Sequence, residues 1–215
     1  MYTIHRHLDL GLPDHLMFWA ACCLAYFGFL RASEFTVDSL NSFSSQRHVQ
    51  PQDITLDSMS APKYIRVNIK ASKTDPFRKG TFIYIGKARP PLCAVEAILA
   101  YLHLRGSTPG PLFLLHSGQP LSRPILTSWL RQIMRAAGFA SDYSSHSFRI
   151  GAATVAARNG LSDHLIQSLV RWSSDAYKGY IRTPVEALAA ASAEQIPPVH
   201  SVVGAWFCWG QKVPW

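Results

Sequence analysis

Fifteen consecutive residues, Leu16 to Leu30, carry no charged side chain. A bilayer span needs roughly 20 apolar residues. Asp14 and His15 also stand where a secretory signal would carry basic ones. The run therefore reads as a helix for the inside of a folded domain, begun by Pro13 and reaching about Leu30. A helix that is apolar on nearly every face is stable only when other elements surround it. Arg31 follows at once, either as a partner for the helix C-terminal dipole or as a side chain turned into a site. Glu34, three residues on, is placed to hold that guanidinium by a charge-assisted bond.

The remaining chain offers the surrounding elements. Hydrophobic residues make up 48% and charged residues 16%, enough for one well-filled core. Ile54 to Leu56, Tyr64 to Ile69 and Thr81 to Ile85 alternate with period two, which predicts a small antiparallel sheet. Helical spacing covers residues 91–105, 122–137, 146–158 and about 162–170, with Gly106, Gly138 and Asn159-Gly160 as stops. The expected fold class is α+β, mainly α, with a three-stranded antiparallel sheet. Residues 1–12 show little pattern and are expected to form a poorly ordered lead-in. A composition shift marks residues 193–215, where Pro197-Pro198 precedes Trp206, Trp209 and Trp215. One domain over residues 13–192 lies between these two ends. Cys22, Cys23, Cys93 and Cys208 have neither disulfide-framework nor zinc spacing, so they read as reduced core thiols.

Charge points to the partner. The net charge is +8 with a pI near 9.5, which favours a polyanion and nucleic acid first. From Lys63 to Arg89 there are eight basic residues and one acidic residue, Asp75. Arg123, Arg131 and Arg135 lie on a single predicted helix, as a DNA-facing side or a plain solvated one. At the start of another helix His146 and Arg149 are three apart and share a face. There the helix N-terminus adds its own attraction for anions. Arginine forks onto phosphate oxygens, and histidine exchanges a proton near neutral pH. Alone, this pair is a weak signal.

In chain order, Leu30-Arg31-Ala32-Ser33-Glu34, Lys73 on a basic hairpin, His146-x-x-Arg149, Trp172 and Tyr180 resemble the active site of the tyrosine recombinase (phage integrase) family. The likeness spans about residues 13–190. The blocks Ser72 to Asp75 and Trp172 to Arg182 are similar to those of recombinase-like proteins of eukaryotic mobile elements. The resemblance implies a helical DNA breaking–rejoining domain. Tyr180 would attack a phosphodiester to form a covalent 3′-phosphotyrosine. Arg31 and Arg149 would stabilise charge on the phosphate oxygens, and Lys73 would protonate the departing 5′ oxygen. His146 would assist proton movement or bind phosphate, and Trp172 would donate its indole N–H. Tyr177 competes with Tyr180, and Lys70 and Lys79 compete with Lys73.

No metal or small-molecule cofactor is implied, and no membrane. The implied partner is double-stranded DNA, with a homo-oligomer assembled on it, in an intracellular, nuclear setting inferred from the substrate alone. The expected function is site-specific recombination or integration of a mobile element. The rivals are a type IB topoisomerase-like nicking–closing enzyme and an inactive DNA-binding remnant. Three departures from the family stand out. Only thirty residues precede Arg31, so the usual N-terminal DNA-binding domain is expected to be absent. Val170 occupies a position where relatives carry glycine. The Trp-rich tail matches no family ending.

Overall fold

The computed structural model describes residues 1–72, 75, 77, 79–139 and 142–171. At its centre is α2 (Pro13–Phe27), in which every residue from Met17 to Ala25 is buried. Helix α4 (Ala94–Arg105) and helix α6 (His146–Arg158) pack against it. Helix α5 (Arg123–Ala136) adds Leu126, Leu130 and Met134 to the same core. Ser122 caps α5, its hydroxyl accepting from the Ile125 N–H at 3.4 Å.

The sheet forms as the alternation predicts. Strands β1 (Ile54–Leu56), β2 (Tyr64–Ile69) and β3 (Thr81–Gly86) are antiparallel in the order β1-β2-β3. Ile65 pairs with Ile85 and Val67 with Ile83. With Ile69 these side chains fill the inner face, each worth roughly 1.5–3 kcal/mol when fully buried. Opposite them lies Gly28. A Cβ there would sit 2.7 Å from the Leu24 carbonyl oxygen, 3.0 Å from Ile83 Cδ1 and 3.2 Å from Ile85 Cδ1. Only glycine lets β3 press this closely on the end of α2.

The central helix is shorter than expected. It stops at Phe27, three residues before Leu30. Phe29 takes a left-handed φ of 50°, and the Leu30 N–H reaches back to the Ala25 carbonyl at 2.9 Å. Arg31 is therefore no C-terminal dipole partner of α2. It is the N-cap of a new short helix, α3 (Ala32–Phe35). The lead-in is also more ordered than expected. Helix α1 (Tyr2–Arg6) buries Ile4, and His5 meets Trp19 edge-on with ring centroids 4.9 Å apart. Residues 1–12 thus share the hydrophobic core. The boundary expected near residue 193 lies outside the described residues.

Helix α7 (Asp163–Val170) begins at Ser162, whose hydroxyl accepts from the Leu165 N–H. Together with α6 it encloses a small second cluster of Ala153, Ala156, Ile166 and Val170. It ends on Arg171, which adopts a left-handed φ of 54°.

Candidate active site

Glu34 is the anchor of the site. Its residue exposure is 1%, and it lies in the first turn of α3. Oε1 accepts from the Arg31 Nη1 at 3.2 Å and from the Ser72 hydroxyl at 2.8 Å. Oε2 accepts from the Arg31 backbone N–H at 2.9 Å and from Arg171 Nη2 at 2.8 Å. Arg31 Nη1 also donates to Ser72 Oγ at 3.1 Å. One buried carboxylate therefore ties together α3, the chain leaving β2 and the C-terminus of α7. Arg171 Nη1 makes a longer bond to the Gly28 carbonyl, at 3.4 Å.

Arg149 enters from α6. It is 1% exposed, and Nη1 donates to the Phe29 carbonyl at 2.6 Å while Nη2 donates to the Val170 carbonyl. The left-handed Phe29 and the end of α7 thus present carbonyls to a single guanidinium. Burial pushes the Arg149 pKa down to about 9, helped by the charge of Arg31 and opposed by Glu34. The group remains protonated at neutral pH. Burial likewise lowers Arg171, and Glu34 raises it again. His146 stands at the solvent-facing start of α6, two positions after Ser144, whose hydroxyl accepts from the His146 N–H at 3.3 Å. Its imidazole is held below the usual value by partial desolvation, then by Arg149 and Arg31.

The structure thus brings together Arg31, His146 and Arg149 from the sequence reading. Three guanidinium groups surround one carboxylate, leaving excess positive charge beside a helix N-terminus. Such a place attracts a phosphate or another oxyanion. Lys73, Trp172, Tyr177 and Tyr180 lie outside the described residues. Ser72 and Arg171, the residues immediately before Lys73 and Trp172, are both bonded to Glu34.

Of the competing lysines, Lys70 is committed elsewhere. Its Nζ lies 2.7 Å from Asp53 Oδ2 and 2.9 Å from the Ser45 carbonyl. Lys79 lies over the Phe77 ring, 6.0 Å from its centroid. Arg171 is the site residue that the sequence reading missed. A basic residue directly before a candidate site residue, at a predicted helix end, was the available signal. Arg123, Arg131 and Arg135 line one shallow exposed cleft on α5, and Arg131 also donates to the Tyr143 carbonyl at 2.9 Å. Among the described residues no group of three or more His, Cys, Asp or Glu side chains is arranged to hold a metal.

A central buried helix, a three-stranded sheet and an arginine-rich anion seat define the catalytic-domain fold of tyrosine recombinases. Solved structures with this fold include the XerH site-specific recombinase in a post-cleavage complex with palindromic difH substrate. That match has 15% identity and a TM-score of 0.66, covering 89% of this chain and 49% of that one. XerA recombinase matches at 19% identity with a TM-score of 0.61, over 85% of this chain and 59% of that one. A lambda integrase dimer bound to a COC′ core site matches at 19% identity with a TM-score of 0.51, over 76% and 41%. The chain belongs to the phage integrase family, whose model matches residues 54–180, more than half of its length. It spans about half the length of the XerH chain and about three-fifths of XerA. No curated protein sequence matches it.

Proposed function

We propose that this chain is the catalytic part of an enzyme that cuts and rejoins DNA strands at specific sites through a tyrosine. The observation that carries the reading is the Glu34 hub. It fixes Arg31 and Arg171 and approaches Arg149, and it bonds the residues directly before Lys73 and Trp172. Attack on a phosphodiester adds charge to its non-bridging oxygens. Arg31 and Arg149, held before substrate arrives, stabilise that charge without reorganising. Tyr180 forms the bond to phosphorus as the 5′ oxygen leaves, and Lys73 supplies the proton to that oxygen. The lowered pKa of His146 leaves it a neutral imidazole at physiological pH, able to take the tyrosine proton. Trp172 donates its indole N–H to the phosphate or orients the tyrosine.

Double-stranded DNA is the partner in this reading, and assembly of several copies on one site is part of it. XerH and lambda integrase are both DNA complexes, and the latter is a dimer. A role in a mobile element is supported by the Trp172 to Arg182 block and by the fold shared with the Tn1549 transposon integrase, TM-score 0.51. A nuclear location rests on the substrate alone.

The test is a nicked suicide duplex incubated with wild type, Tyr180→Phe and Tyr177→Phe, then resolved on a denaturing gel. The substrates include the flanks of a related mobile element. The expected result is a covalent adduct that disappears only in Tyr180→Phe. Loss only in Tyr177→Phe would transfer the nucleophile's role. An absent adduct with salt-sensitive duplex binding intact would mark a protein that binds DNA without cutting it.

A further inference from the structure

The proposed reaction leaves the outer face of the sheet unused. Because β2 and β3 turn their isoleucines and valine inward, Tyr64, Arg66, Phe82 and Tyr84 point outward. Tyr64 is 39% exposed, Phe82 53% and Tyr84 61%. The solvated face of an antiparallel sheet is ordinarily polar. Here three large rings stand beside one cation instead. The Arg66 guanidinium carbon lies 4.8 Å from the centroid of the Phe82 ring. The Tyr64 and Tyr84 rings are 5.8 Å apart at 64°.

The register explains both pairs. Arg66 is opposite Tyr84 and Tyr64 is opposite Gly86, so each side chain meets its diagonal neighbour. Gly86 leaves a gap in the row, with nothing within 4 Å of where a Cβ would be. Further along, Phe77 is 82% exposed beneath Lys79. Lys63, Lys87 and Arg89 are exposed just beyond the ends of the two strands. Lys87 pairs with Glu96 at 3.3 Å. Asp57 is the exposed acid at this end, and its carboxylate accepts from the Lys63 and Tyr64 N–H groups.

Duplex bases are hidden in their own stack, whereas unpaired bases each offer a π-face, and rings set among cations accept them without regard to sequence. Phe82 and Tyr84 are two residues apart on one strand, a separation of about 6.8 Å. That is about twice the spacing of bases along one strand of a duplex, so the row suits a strand whose bases are drawn apart. A second copy of this chain on the same face would set like charges against each other.

We propose that this sheet face binds single-stranded nucleic acid, with bases resting on Tyr84, Phe82 and Tyr64 and a phosphate met by Arg66. The inference rests on DNA being the partner, because joining a strand to a new partner requires the bases beside the break to unpair. It does not require cleavage.

The test measures anisotropy of a labelled thymidine oligomer, about twelve nucleotides to fit known single-strand site sizes, and of a labelled duplex. Wild type is compared with Phe82→Ala, Tyr84→Ala and the double variant. Both positions are exposed, so melting curves should coincide with wild type. Each substitution is expected to weaken oligomer binding by about 5- to 150-fold, the range for losing one stacked base. Duplex affinity should change less than twofold. Unchanged oligomer affinity in the double variant overturns the proposal, as does an equal loss for duplex. Wild type that holds duplex but not oligomer overturns it while leaving the DNA reading intact. Failure to hold either refutes both. Self-association in sedimentation that the double variant abolishes would make the face a protein interface and overturn it.

Discussion

Glu34→Gln tests the anchor of the site directly. The carboxylate is buried and accepts four hydrogen bonds, two of them from Arg31, one from Arg171 and one from Ser72. Glutamine keeps the shape but removes the charge, and its amide nitrogen turns a donor toward at least one of these donors. Removing one partner of a buried ion pair costs about 3–5 kcal/mol, because the remaining charge stays desolvated. For a domain of this size each kcal/mol moves the melting temperature by roughly 2–4 °C, giving a fall of roughly 6–20 °C. Urea unfolding followed by far-UV circular dichroism should show the midpoint falling with the slope unchanged. A double-mutant cycle sharpens the result. If Glu34 and Arg171 act on each other, Arg171→Met should cost less in the Glu34→Gln background, by about 0.5–3 kcal/mol. Costs that simply add, or a loss below about 1 kcal/mol for Glu34→Gln, would refute the idea of a shared anchor.

His146 should titrate in NMR with a midpoint below the free value of about 6.5. Between its folded and unfolded values the unfolded chain binds more protons, so its contribution to stability is present above about pH 6.5 and lost as pH falls; a midpoint at or above 6.5 contradicts this. Arg149→Lys retains a charge but cannot span the Phe29 and Val170 carbonyls, and should lower stability by about 1–3 kcal/mol, the cost of an unsatisfied buried group. A urea midpoint equal to wild type would show that the fork is dispensable. Gly28→Ala places a methyl 2.7 Å from a carbonyl and against two isoleucines, and should cost about 1–3 kcal/mol. Hydrogen exchange should quicken at β3 first, and unchanged protection there would count against the close approach.

The sheet and the later helices were legible because their signals are local. Alternation placed all three strands, and glycines at positive φ closed α4, α5 and α6 where expected. The end of α2 was not legible. Phe27 to Leu30 reads as more helix, and a left-handed turn at a non-glycine residue, Phe29, has no local signature. The position of Arg31 followed from that turn and was missed with it, although its tie to Glu34 was foreseen. Arg171 was missed for a similar reason. A left-handed non-glycine residue has no local signature, and its partner Glu34 is 137 residues distant. The order of Arg31, Lys73, His146, Arg149, Trp172 and Tyr180 along the chain nevertheless carried the family likeness.

The separation between Glu34 and Arg171 also bears on biosynthesis. At ribosomal speeds of about 5–20 residues per second, roughly 7 to 27 s pass between making the carboxylate and making its second arginine. During that interval the emerging polypeptide has Arg31 and Glu34 but not Arg171, and it gains Arg149 only 22 residues before the end. The Phe29 carbonyl and half of the anchor await groups not yet translated. A nascent chain therefore lacks the assembled anion seat, and a truncation anywhere before Arg171 would leave the site open at its final clasp.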